Sequence, residues 1–240
     1  MKPAALRPVV NIDLAELPAE PEELYAATDL ANLACGGHAG DPAILARALE
    51  LCRAHGVAVG AHPSYPDREG FGRRRLAMSP AEVAASVREQ CATLAGVAVT
   101  HLKPHGALYH AADEDEVLAA AVVDAARAVL PDLARVLGPD GGALARAAAR
   151  AGLAFLREGF ADRAVDPATG RLVPRDRPGA VISDPAAAVE RAAAVAPHVD
   201  TLCVHGDTPN AVAVARAVRA YLAATFSPIG QLTPVPPIPQ

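Results

Sequence analysis

Tryptophan is absent from this chain, and phenylalanine and tyrosine bring the aromatic fraction to only 3%. With a formal net charge of −5 there is also no basic stripe, so nucleic acid is excluded as a partner on both counts, charge and stacking. No apolar run approaches the length of a membrane span, and Met1 to Arg7 lead into a polar, charged stretch rather than the apolar core of a signal peptide. The expectation is a cytoplasmic protein with no membrane partner. The four cysteines, Cys35, Cys52, Cys91 and Cys203, form no Cys-x-x-Cys pair, which argues against a disulfide framework or a structural zinc site. No Gly-x-x-x-x-Gly-Lys-Ser/Thr loop occurs, and Gly138-Pro139-Asp140-Gly141-Gly142 lacks the lysine. Any use of ATP therefore needs another fold or another subunit.

What is present is alternation. Hydrophobic residues make up 52% of 240 residues, enough for a sizeable core. Short β-type runs alternate with Ala-rich helical ones from end to end, the pattern of repeated βα units around a parallel sheet. Strands are expected at Val9 to Leu14, Ala31 to Cys35, Val57 to Ala61, Val97 to Leu102, Ala134 to Leu137, Ala154 to Glu158 and Thr201 to His205. Helices are expected at Pro42 to His55, Pro80 to Ala95, Asp115 to Leu130, Gly141 to Ala151, Pro185 to Ala196 and Pro209 to Ala224. Asp41-Pro42, Ser79-Pro80, Asp184-Pro185 and Thr208-Pro209 each pair an N-cap residue with proline at the first helical position. The reading is one domain over residues 1–232, with a hairpin at 164–183 turning at Asp166 to Gly170, and a Pro-rich tail at 233–240.

Polar residues gather just after the strands: Asn11, Asp13 and Glu16; Asn32, His38 and Asp41; His62 and Asp67; Lys103 and His105; Asp162 and Arg163; His205 and Asp207. Parallel α/β folds place their sites at that end of the strands, and closing the sheet into a ring brings all six groups to one mouth. An incomplete relative of the eight-stranded barrel is the expected architecture. Within His101-Leu102-Lys103-Pro104-His105, strand alternation places two imidazoles and an ammonium on one side, suited to proton transfer and anion binding. Pro104 can part His105 from the other two. Asp13 on an otherwise apolar strand needs a partner or a metal. Asp41 reads foremost as a helix cap, Cys35 as a small buried residue, and His55 and His198 as surface residues. Gly70-Phe71-Gly72-Arg73-Arg74-Arg75 reads equally as an anion clamp and as a solvated basic loop.

Seven motifs in order, Asn11-x-Asp13-x-x-Glu16, Asn32-x-Ala34-Cys35-Gly36-x-His38-Ala39-Gly40-Asp41-Pro42, Gly60-Ala61-His62-Pro63, Gly70-Phe71-Gly72-Arg73-Arg74, His101-x-Lys103-Pro104-His105-Gly106-Ala107-Leu108-Tyr109, Phe160-Ala161-Asp162-Arg163 and Val204-His205-Gly206-Asp207, resemble the LamB/YcsF family. The family includes one subunit of bacterial 5-oxoprolinase. The resemblance implies a seven-stranded parallel (β/α) barrel of the glycoside hydrolase/deacetylase type. It also implies ATP-dependent hydrolysis of the cyclic amide of 5-oxo-L-proline to L-glutamate, with ATP bound by partner subunits B and C. Expected catalytic residues are Asp13, His38, Lys103 and His105, with Lys103 foremost an anion holder. Expected substrate contacts are Asn11, Glu16, Asn32, His62, Arg73, Arg163, His205 and Asp207. An alternative, a metal-dependent deacetylase, would use Asp13, His38 and His62 to hold a divalent cation. A third reading makes the chain a non-catalytic partner that binds a small acid, and homo-oligomerisation stays open. The chain departs from the family pattern at Ala15, where glycine is usual, at Gly37, where phenylalanine is usual, and at His110, where asparagine is common.

Overall fold

The computed structural model describes residues 7–167 and 172–227. The expected Pro-rich tail at 233–240 and residues 168–170 of the expected hairpin turn lie outside them. The elements run β1 (Val9–Leu14), α1 (Glu22–Ala26), β2 (Leu30–Ala34), α2 (Pro42–His55), β3 (Ala58–His62), α3 (Pro80–Ala92), β4 (Val99–Leu102), α4 (Gly106–Glu114), α5 (Glu116–Arg127), β5 (Arg135–Gly138), α6 (Ala143–Arg150), β6 (Ala154–Phe160), α7 (Pro185–Val195), β7 (Thr201–His205) and α8 (Ala211–Thr225). The seven strands are all parallel and close in chain order, β7 returning to β1 with Val9 opposite Thr201 and Asp13 opposite His205. The seven-stranded (β/α) barrel is thus as expected.

Local chemistry starts and stops the helices. Asp41 caps α2 by accepting from Ala43 N and Ile44 N, both at 2.9 Å, and Gly56 ends it in the left-handed region at φ 66°. Ser79 and Glu82 form a reciprocal capping box at α3, and Asp184 caps α7 through Ala187 N. Thr208 departs from its expected capping role. Its hydroxyl donates instead to Asp162 Oδ2 at 2.6 Å, and α8 starts from Asn210, whose own backbone is left-handed and whose side chain makes no cap. Two helices were not expected: α1, and α4 directly after the His101 run. Antiparallel bridges join Arg163 to Val181 and Val165 to Leu172.

Period-two alternation sorts β1 by face. Val10, Ile12 and Leu14 join the layer between strands and helices, whereas Val9 packs inside the ring with Leu30, Leu137, Ala58 and Leu156. Burying each such aliphatic side chain contributes about 1.5–3 kcal/mol, so this plug closes one end of the barrel as hydrophobic core. One level higher, Asn11 donates to Thr201 Oγ1 and accepts from Asn32 Nδ2, both at 2.8 Å. At the same level the His101 ring lies over Gly60, where any side chain would collide with it. Polarity therefore rises along the barrel axis toward the C-terminal ends of the strands.

Candidate active site

Asp13 occupies the inward position at the top of β1 and is 2% exposed. Asn32 Nδ2 donates to its Oδ1 at 2.8 Å, Lys103 Nζ to the same oxygen at 2.8 Å, and His62 Nε2 lies 3.4 Å from Oδ2. Burial alone would raise the Asp13 pKa. The neighbouring His62, the Lys103 ammonium and His205 outweigh it and hold the carboxyl well below the usual carboxylate range. Burial likewise disfavours the Lys103 ammonium, but Asp13 and Glu158 hold it firmly protonated. Lys103 was expected to hold a substrate anion. Its ammonium is instead shared among Asp13, Glu158 Oε1 at 2.9 Å, Asn11 Oδ1 at 3.1 Å and Cys203 Sγ at 3.1 Å. Asn11 and Asn32, expected as substrate contacts, are fully buried beneath this pair and orient it from below.

The turn after β1 aims Glu16 at a second cluster. Glu20 accepts from the backbone N–H groups of Ala15, Glu16 and Leu17 at 2.8, 2.8 and 3.2 Å and from the Tyr25 hydroxyl at 2.9 Å. Ala15 is held at φ 58°, which accounts for glycine being usual there. Glu16 Oε1 then lies 3.0 Å from His38 Nε2, 3.4 Å from His105 Nδ1 and 3.9 Å from His62 Nε2. The His38 ring stacks on His105 at 3.7 Å between centroids, 2° from parallel. Burial and the neighbouring His62 push the His38 pKa down to about 2; burial, with His38 and His62, drives His105 the same way. Burial and the charges of Asp13, Asp207 and Glu20 raise Glu16.

These ligand-type atoms regroup the expected metal set. Asp13, His38 and His62 do not form one group among the described residues. The atoms of Glu16, His38, His62 and His105 lie within 4.8 Å of one another, while Asp13 groups with Cys203 and His205. Strand geometry explains the change: β1 ends at Leu14, and the turn that follows carries Glu16, not Asp13, across to the ends of β2 and β3.

A cavity of about 700 Å³ opens above both clusters, within the usual range for small-molecule sites. Asp13, His62, Lys103, His105 and His205 form part of its floor, and Arg73, Arg163 and Arg175 stand at its walls. The glycine loop is pinned by acids: Arg73 pairs with Asp207, Arg74 with Asp67 and Arg75 with Glu114. Arg163, expected to grip the substrate, donates to Ala180 O at 3.2 Å and Val173 O at 2.7 Å, fastening the segment that carries Arg175. Asp207 serves Arg73 and Arg175, the latter through Nη1 at 2.9 Å. His205 donates through Nδ1 to Asp162 at 3.0 Å, turning Nε2 toward Asp13 at 3.8 Å.

Glu158, Cys203 and Arg175 were missed as site residues. Glu158 carried the same signal as Asp13, a lone carboxylate on a strand. Arg175 lies 32 residues from Asp207, and nothing local announces that pairing.

The LamB/YcsF family model matches residues 11–235. The A-type subunit of 5-oxoprolinase from Methylococcus capsulatus is 46% identical over 231 residues, covering 88% of each chain. The crystal structure of the lactam utilization protein from Thermus thermophilus superposes with a TM-score of 0.80 at 38% identity, covering 93% of this chain and 98% of that one. A family 4 carbohydrate esterase from Streptomyces lividans, at 14% identity and a TM-score of 0.51, covers 96% of this chain and 95% of its own, and shares the fold. With its seven motifs placed around one barrel mouth and its matches running through nearly the whole chain, the protein belongs to the LamB/YcsF family.

Proposed function

We propose that this chain is the ring-opening component of an ATP-dependent 5-oxoprolinase, a hydrolase of a cyclic amide C–N bond. The observation that carries the reading is one cavity that joins an ionised carboxylate, Asp13, to two imidazoles, His62 and His105, beneath a rim of guanidinium groups. The names of its relatives support the choice of a lactam.

A lactam carbonyl is stabilised by resonance, so opening it requires activating both the carbonyl and the attacking water. Partner subunits B and C bind ATP and place its terminal phosphoryl group on the lactam oxygen, since this chain has no phosphate-binding glycine loop with lysine. In the barrel, water adds to the activated carbon and gives a proton to Asp13. The C–N bond breaks as the ring nitrogen takes the proton held on Asp13, and a second water releases phosphate. Lys103 keeps Asp13 ionised rather than gripping the substrate; Arg73 and Arg175 attract the carboxylate and phosphate. Reconstitution with both partner subunits tests this. Asp13→Asn, nearly isosteric, should lower glutamate formation by about 10²–10⁴-fold while some ATP consumption continues. Wild-type rate and coupling in that variant would remove Asp13 from the chemistry, and weakened assembly with intact turnover would assign the barrel a binding role.

A further inference from the structure

The hydrogen bonds at the back of two histidine rings determine what their front edges can do. His62 Nδ1 lies 2.7 Å from the carbonyl oxygen of Lys103, and His105 Nε2 lies 2.9 Å from that of Phe71. A carbonyl only accepts, so each of those nitrogens carries the ring hydrogen. In neutral imidazoles the opposite nitrogens, His62 Nε2 and His105 Nδ1, are then bare lone pairs, and they face each other at 3.0 Å. Glu16 Oε1 completes a triangle with them, 3.4 Å from His105 Nδ1 and 3.9 Å from His62 Nε2. A single proton bridges two acceptors along a line. Three acceptors at the corners of a triangle call for a cation at its centre.

We infer that Glu16, His62 and His105 bind a first-row divalent transition metal of the zinc class, with His38 Nε2, 3.0 Å from Glu16, supporting the carboxylate. Three features fit. A tetrahedral centre with bonds of 2.0–2.1 Å has ligand-to-ligand edges of roughly 3.3–3.4 Å, and the observed edges of 3.0, 3.4 and 3.9 Å bracket that value. Both imidazoles donate their remaining N–H to a backbone carbonyl, the usual orienting contact of metal-bound histidine. His62 and His105 also line the cavity, so the fourth position of such a centre opens toward substrate, as catalytic rather than structural sites require. When bound, the ion supplies a Lewis acid beside Asp13. Its use in turnover rests on the hydrolase reading; the binding itself does not.

The test therefore measures binding, apart from activity. The full chain is stripped with chelator, dialysed and titrated with Zn²⁺ and with Co²⁺, following bound metal by elemental analysis and Co²⁺ by its visible d–d absorption. One equivalent should bind, with tetrahedral-type cobalt absorption. Glu16→Gln and His105→Gln, checked for folding by circular dichroism, should each weaken binding by at least about 100-fold. Cys203→Ser should leave it unchanged. A folded wild-type chain that takes up no metal overturns the inference and leaves a proton shared between His62 and His105. Binding that survives Glu16→Gln and His105→Gln but is lost in Cys203→Ser overturns it in favour of the Asp13–Cys203–His205 group.

Discussion

Two polar sectors share the barrel mouth and solve burial in opposite ways. Around Lys103, polar groups satisfy one another: one ammonium is shared by the carboxylates of Asp13 and Glu158, and Asp162 accepts from His205. Around Glu16, three imidazoles crowd one carboxylate, and two of them present lone pairs to each other. The first sector is complete within the protein, whereas the second is complete only with something added. A network whose members bond one another acts as a rigid support, and a surplus of inward-facing acceptors acts as a receptor for a cation. Asp13 stands on the border, bonded to Lys103 on one side and 3.4 Å from His62 on the other.

The sectors should break unequally. Lys103→Met leaves Asp13 and Glu158 buried without the ammonium they share, and should lower the free energy of unfolding in urea by about 3–5 kcal/mol. In metal-free protein His105→Gln loses the bond to Phe71 O and the stack on His38 but also relieves the facing lone pairs, so its loss should stay below about 2 kcal/mol. Equal losses would erase the distinction between the sectors. Beneath both lies His101, whose pKa burial and the Arg135 charge depress to about 3 from 6.5. Neutral when folded, it takes up a proton on unfolding, so its contribution to stability is present above pH 6.5 and is lost as pH falls toward about 3. His101→Gln should flatten that decline by up to about 1.4 kcal/mol per pH unit, measured from urea titrations at successive pH values. The smallest effect belongs to the turn that aims Glu16. Ala15→Gly removes left-handed strain at φ 58° and should raise stability by about 0.5–1 kcal/mol after the entropy of the freer unfolded chain is counted.

How much of this was legible beforehand follows from the range of each interaction. The bounds of β1 and β7 and the start of α2 rest on local patterns, alternation and an Asp-Pro cap, and they match the expected bounds residue for residue. Helix α4 escaped because its N-cap, His105, makes no side-chain cap bond and its first residue, Gly106, sits at φ 55°. Thr208 looked like a cap because Thr-Pro usually is one; its hydroxyl was claimed by Asp162, 46 residues away. Asp13, His62 and His105 announced themselves as polar groups at strand ends, yet their grouping depended on the turn after β1. There Glu20 binds three successive backbone N–H groups, a contact with no signature in residue spacing. Gly37 follows the same rule: Gln90 from α3 fills the space where a larger side chain would sit and bonds Ser64 at 2.9 Å.

X-ray absorption at the zinc edge of the chain loaded with one equivalent of Zn²⁺ tests the contrast between the sectors most directly. Glu16, His62 and His105 predict a coordination shell of nitrogen and oxygen alone at about 2.0–2.1 Å, with the outer-shell scattering of two imidazoles. A sulfur neighbour at about 2.3 Å would place the ion on Cys203, in the sector around Lys103, and would contradict the account.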